Sequence, residues 1–203
     1  EIRLSLVGSE MCIRDRDDVA ADVLADLVDR QDSAALLDLL HAVDVHPGDV
    51  VWVPPGELHA IGAGILLLEL QQPEDLSILL EWHDYAIDGA AVGHLGLGFE
   101  VALAAVNRRG RSRSDLGELI GPAPASDSVF PHPADEYFRL ERVPVDGPTV
   151  IDQGFSVLIV SAGDVVIGGV EHRTGATLVV PHAAGALDAT GVGELLVARP
   201  PTP

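Results

Sequence analysis

Apolar residues fall along this chain in two rhythms, and the change between them marks out its elements. Between Asp17 and His41 the spacing is helical: Val19, Val23, Leu24, Leu27 and Val28 recur at three- to four-residue intervals. Asp15 or Asp17 is placed to cap the start, where acidic groups favour the helix dipole. Ser33 opens a second helix, with Leu36, Leu37, Leu39 and Leu40 on its apolar side. From His46 the rhythm shortens. Pro47-Gly48-Asp49 reads as a turn, because Pro presets φ and Gly admits a positive one. Val50, Val51, Trp52 and Val53 are β-branched or aromatic and predict a strand, which Pro54-Pro55-Gly56 stops. His59 follows. The run Ile65 to Leu68 then has the short, continuous apolar character of a strand buried on both faces, and it ends on Glu69.

Beyond it, Gln71 to Asp75 reads as a loop and Leu76 to Leu80 as a strand closed by Glu81-Trp82-His83-Asp84. Gly96 and Gly98 lack the spacing of a phosphate-binding loop and predict close backbone passage instead. Phe99 to Val106 is one short helix. Arg108, Arg109, Arg111 and Arg113 cluster after it; an exposed basic linker accounts for them better than a phosphate site. Pro122 to Pro133 is rich in Pro, Ala and Ser and predicts a linker. Strands follow at 137–143, 155–160, 164–167 and 176–180, separated by Gly-containing turns, a pattern of sandwiches and barrels.

Composition narrows the classes. With 203 residues there is room for one or two domains. Apolar content is 47% with 4% aromatic, so the core is built from Val, Leu, Ile and Ala. No run is long enough for a membrane-spanning helix, and no membrane partner is expected. A net charge of −20 without a single lysine argues against a nucleic-acid partner, since phosphate contacts need basic residues on one face. One cysteine, Cys12, excludes an intramolecular disulfide and a cysteine-based zinc site. Residues 1–16 differ in composition from the rest, hold both the only Cys and the only Met, and lack the apolar stretch of a signal peptide. They resemble translated adapter read-through and are expected to be a non-native leader outside the fold.

The halves repeat weakly. Gly48-Asp-Val-Val-Trp-Val-Pro54 lies over Gly175-Ala-Thr-Leu-Val-Val-Pro181, and in that frame His59 falls on Ala186. A histidine after a strand and a Pro-Gly corner suits either a hydrogen-bonded rim residue or a metal ligand aimed into a barrel mouth. The repeat favours the ligand, because the same frame occurs without it.

The stretch from Val53 to Gly64, with its Pro-Pro-Gly-Glu-Leu-His59-Ala corner, resembles the cupin segment of type I mannose-6-phosphate isomerases. So do Leu66 to Asp75 and Gly93-His-Leu-Gly-Leu-Gly-Phe99, the latter in the manner of the bacterial branch. The resemblance implies a mainly β fold with flanking helices. It comprises an incomplete cupin (double-stranded β-helix, jelly-roll) barrel over residues 17–120, a linker at 121–133, and a second, smaller cupin-like β-domain over 134–203. It implies a cytoplasmic, zinc-dependent aldose–ketose isomerase of carbohydrate metabolism acting on a sugar phosphate, with one Zn2+ per complete protein. Of the family's ligands, a Gln-x-His pair, a Glu and a later His, only the last has a counterpart, His59. Glu69 matches a pocket glutamate of proton transfer or substrate placement. The family's catalytic lysine is absent, and a family arginine falls on Leu79. The expectation is therefore a C-terminal fragment with an incomplete metal site, inactive by itself. A non-catalytic, sugar-binding double cupin is the alternative. Oligomeric state is left open.

Overall fold

A computed structural model describes residues 10–15, 17–72, 76–122 and 128–201. The chain forms two compact units, Glu1–Pro122 and Ala123–Pro203, which divide inside the Pro/Ala/Ser-rich stretch. Residues 123–127 of the expected linker and 73–75 of the expected loop lie outside the described residues, as do 1–9 and 16. The molecule is mainly β with few helices, and its sheets are not closed.

In the first unit β1 (Glu10–Asp15) is followed by α1 (Ala21–Arg30), α2 (Ser33–Asp38) and β2 (Leu40–Asp44). The helices bury Leu24, Leu27, Val28 and Leu36 against one another, while Val23, which the spacing assigns to the apolar face, is exposed. Neither Asp15 nor Asp17 caps α1; Ala20 stands at the cap without a side-chain bond, and Asp15 belongs to β1. At α2, Asp32 supplies the cap by accepting from the Ala35 N–H at 3.1 Å. Leu40 leaves the helix it was predicted to join and starts β2.

Residues 10–15, within the compositionally distinct stretch, form β1. β1 is the central strand of a three-stranded antiparallel sheet, between β2 and β4 (His59–Ile61). Three consecutive apolar residues, Met11, Cys12 and Ile13, are buried there. Contrast in composition cannot see a pairing partner, and three apolar residues suffice to occupy the slot between two short strands.

β3 (Asp49–Val51) pairs with β5 (Ile120–Pro122), and the ladder continues with the Trp52 N–H donating to Leu119 O at 2.8 Å. Two predicted strands do not form. Residues 65–68 are outside any strand and Leu66 is 99% exposed. Residues 76–80 are likewise unladdered: the Leu79 N–H donates to Gly93 O at 2.9 Å, and Leu80 O accepts from the Gln31 side chain at 3.1 Å. Short apolar runs state a tendency to be covered, but a strand exists only where a neighbour completes its ladder. α3 (Gly89–Val92) and α4 (Phe99–Ala104) follow, the latter carried to Val106 by a bond to Leu103 O at 3.2 Å. Trp82 stacks on Phe99 with centroids 5.5 Å apart, and Gly89 lies against the Trp82 ring where no Cβ would fit.

The second unit is one antiparallel sheet of β6 (Arg139–Asp146), β7 (Thr149–Ile151), β8 (Ser156–Ile167), β9 (Val170–Arg173), β10 (Thr177–Val180) and β11 (Leu187–Arg199). The order is β10-β8-β11-β6, with β7 paired to β11 and β9 to β8. The two strands predicted at 155–160 and 164–167 are one, β8. Gly163, at φ +75°, sits opposite Gly193 of β11, and a Cβ on either would strike the other strand's backbone. Glycines that read as turns in the sequence here let two long strands cross closely. Leu158, Val160, Val165, Leu195 and Val197 form the core. Leu195→Ala is expected to cost about 2–5 kcal/mol, read as a lowered urea midpoint by circular dichroism.

Candidate functional site

The corner before His59 is held from behind. Pro54 to Glu57 make a turn closed by the Glu57 N–H donating to Pro54 O at 3.2 Å. Gly56 takes φ +81°, and a Cβ there would lie 2.6 Å from Ala105 O, at the end of α4. The corner thus presses its backbone on the helix terminus, which only glycine permits. Asn107, just past that terminus, reaches the corner twice. Its backbone N–H donates to Gly56 O at 2.9 Å, and its side-chain amide donates to Glu57 Oε1 at 2.6 Å. Its own Oδ1 accepts from the Arg109 N–H at 3.4 Å, which orients the amide. Glu57 is buried.

His59 opens β4, opposite Ile13 of β1, and is half-buried. Its Nδ1 lies 3.1 Å from Glu57 O. A carbonyl oxygen only accepts, so Nδ1 carries the proton and the lone pair sits on Nε2, the tautomer a metal-ligating imidazole presents.

The second unit closes a turn at the matching place, as a 3₁₀ turn (His182–Ala184) with Ala183 where the first has Gly56. The Ala184 N–H donates to Pro181 O at 2.9 Å, as Glu57 does to Pro54. Ala186 then stands immediately before β11, as His59 stands at the start of β4. Ala184 occupies the place of Glu57, and the Gln153 side chain bonds the turn at His182 O, 3.1 Å away. The turn forms with neither the histidine nor the buried carboxylate.

Other residues marked by the sequence are not brought to His59. Glu69 is exposed on the coil after 65–68, where its Oε1 accepts from the Gln71 amide at 2.8 Å. Leu79 is half-buried in backbone contact with Gly93. The first unit's other histidines have partners of their own: His41 with the distant Arg111 O at 2.8 Å, His46 with Asp49 at 3.6 Å, His83 with Asp84 at 4.0 Å, and His94, whose Nδ1 accepts from the Gly96 N–H at 3.1 Å. Among the described residues no three His, Cys, Asp or Glu side chains gather as a metal shell requires, so those residues alone do not fit a zinc ion. The arginine cluster is more than a linker. Arg108 exchanges bonds with Val19 at 3.0 and 3.2 Å, and Arg113 donates to Ala42 O at 2.9 Å, lacing the chain after α4 to the start of the unit. A recess of about 460 Å³ lies between residues 17–20, Val23, Asp38 and Leu39; its three aspartates are the wrong charge for a sugar phosphate. Asn107 and Glu57 went unmarked in the sequence. Glu57 sits inside the Pro-Pro-Gly-x-x-His corner and was open to notice; nothing local distinguishes Asn107, fifty residues away.

No family model matches the chain. It is 21% identical over 168 residues to the protein named "Probable mannose-6-phosphate isomerase GmuF" of Bacillus subtilis, covering 80% of this chain and 52% of that protein. It is 52% identical over 48 residues to the mannose-6-phosphate isomerase ManA of the same organism, 24% of this chain and 15% of that one. The solved mannose 6-phosphate isomerase of Bacillus subtilis superposes with a TM-score of 0.68 at 20% identity, over 98% of this chain and 63% of the other. A mutant phosphomannose isomerase from Salmonella typhimurium gives 0.64 at 16% identity, over 98% and 67%. Sequence and structure neighbours alike point to the mannose-6-phosphate isomerases and their cupin fold, and the chain spans about half the length of GmuF.

The geometry of the corner makes one substitution telling. Gly56→Ala combines a strained φ with a backbone collision, and is expected to destabilise the first unit by roughly 1–3 kcal/mol. Thermal unfolding checks it, and Gly64→Ala, at φ +85° with open space around it, is the control with strain alone.

Proposed function

We propose that this chain carries the His59 end of a zinc-dependent mannose-6-phosphate isomerase and does not isomerise its sugar phosphate alone. The single observation that carries the reading is that a proline-closed turn stands at matching places in both units, followed by an imidazole with Nδ1 on Glu57 O in one and by Ala186 in the other. A residue the turn does not need is there for something other than the turn. The match to ManA at 52% identity over 48 residues adds support.

The chemistry interconverts mannose 6-phosphate and fructose 6-phosphate through a cis-enediol, so a base must move a proton between C1 and C2. Bound zinc would supply a polarised oxygen and orient the sugar. One imidazole does not hold zinc with an open position, and no three His, Cys, Asp or Glu side chains gather among the described residues. What this chain contributes is the imidazole of His59. Glu69 is assigned proton transfer or substrate placement, in a cytoplasmic protein of carbohydrate metabolism. A second reading, a sugar-binding double cupin without catalysis, is favoured by Leu79 standing where the family has an arginine.

The test is a coupled assay for fructose 6-phosphate with added zinc. It compares the 203-residue chain with a chimera in which the chain follows the N-terminal half of ManA. The chain alone is expected to be inactive and the chimera active, with His59→Ala reducing the chimera by about 10–100-fold or more. Equal activity of the chain alone would refute the ligand count. An inactive, folded chimera would transfer belief to the non-catalytic reading.

A further inference from the structure

We infer that Asn107 is a positioning residue for His59, acting through Glu57; the inference deepens the reading of His59 as a ligand and rests on it. Asn107 holds the residue whose carbonyl orients the imidazole. The backbone N–H of Asn107 fixes the Gly56 carbonyl at 2.9 Å, and its amide fixes the Glu57 side chain at 2.6 Å. Glu57 is held between those two anchors, and its carbonyl, in the following peptide, stands 3.1 Å from His59 Nδ1. A ring nitrogen's tautomer is set by the bond the other nitrogen makes, and such supporting bonds govern ligand affinity nearly as strongly as the ligands do.

The second corner is the internal control. It closes a turn at the same place, with a bond of 2.9 Å, but as a 3₁₀ turn with Ala183 where the first has Gly56, while carrying Ala184 where the first has Glu57 and Ala186 where the first has His59. Its turn is held by Gln153 through a carbonyl alone. The carboxylate, its amide partner and the histidine are therefore present together in one corner, and the carboxylate and the histidine are absent together from the other. Turn formation does not explain a carboxylate buried beside the corner. The 2.6 Å bond from the Asn107 amide to that carboxylate is explained if it steadies the residue whose carbonyl the imidazole uses.

The experiment is a two-dimensional ¹⁵N NMR measurement of the histidine side chains in the 203-residue chain, for the parent protein, Asn107→Ala and Asn107→Asp. Both variants keep the backbone N–H bond to Gly56. The Ala variant removes the amide, and the Asp variant replaces it with a group that repels Glu57. His59 in the parent is expected to be held as the Nδ1–H form. In both variants the ratio of Nδ1–H to Nε2–H is expected to fall about fivefold, the scale of one hydrogen bond, with amide spectra still folded. His182, in the second corner, is expected to keep its parent signature. An unchanged His59 ratio in folded variants overturns the inference. Loss of the fold in both variants overturns it too, since Asn107 would then be structural. Failure of the isomerase reading shows separately, in the chimera assay, and leaves the tautomer result standing.

Discussion

A buried carboxylate has to be satisfied, and in this chain that requirement joins segments far apart in sequence. Glu57 is buried at a corner between two short strands, and the Asn107 amide reaches it from the end of α4. Taking a carboxylate out of water without a partner costs several kcal/mol, while a hydrogen bond to a charged group returns about 1.5–3. The corner, the end of α4 and the start of β4 are therefore not independent. Gly56 makes the coupling tighter, because its backbone packs where any side chain would meet Ala105 O. Through β4 the same constraint reaches β1 and β2, since the three form one sheet.

Polar clamps of this kind are the general device of the first unit. Gln31, in the left-handed region at the end of α1, takes both the Leu80 carbonyl and the Trp82 N–H with one amide. Glu81, 2% exposed, accepts from Ser33 Oγ at 2.7 Å and from the His83 N–H at 2.9 Å. These bonds hold chain that has no ladder of its own. The second unit works differently: β8 and β11 run side by side for most of their length and satisfy each other's backbone. A long ladder leaves little for side chains to do, whereas a unit of strands three to six residues long needs side chains to fasten its loops.

Much was legible in the sequence because it depended on neighbours along the chain. Helical spacing located α1 and α4, the break at Asp32–Ser33 located α2, and the Gly…Val-Pro frame located β3, β10 and both corners. His59 was marked by its corner, and the corner is a local object: two prolines and a glycine with a positive φ. The division near residue 122 followed composition. What misled was also local. The apolar runs at 65–68 and 76–80 have the content of strands and lack a partner, and the glycines of β8 and β11 have the look of turns within strands.

The sequence by itself determined the mainly β class, the helices α1, α2 and α4 and the histidine that follows the corner, since periodicity, turn chemistry and β-branching act over a few residues. Only the tertiary structure decided that residues 10–15 form a central strand, that Glu69 stands in solvent, and that Asn107 fastens Glu57. Each of these is a pairing between distant segments. No residue announces its partner, because the free energy of a ladder, a covered face or a satisfied carboxylate belongs to two segments at once and exists only when the fold has brought them together.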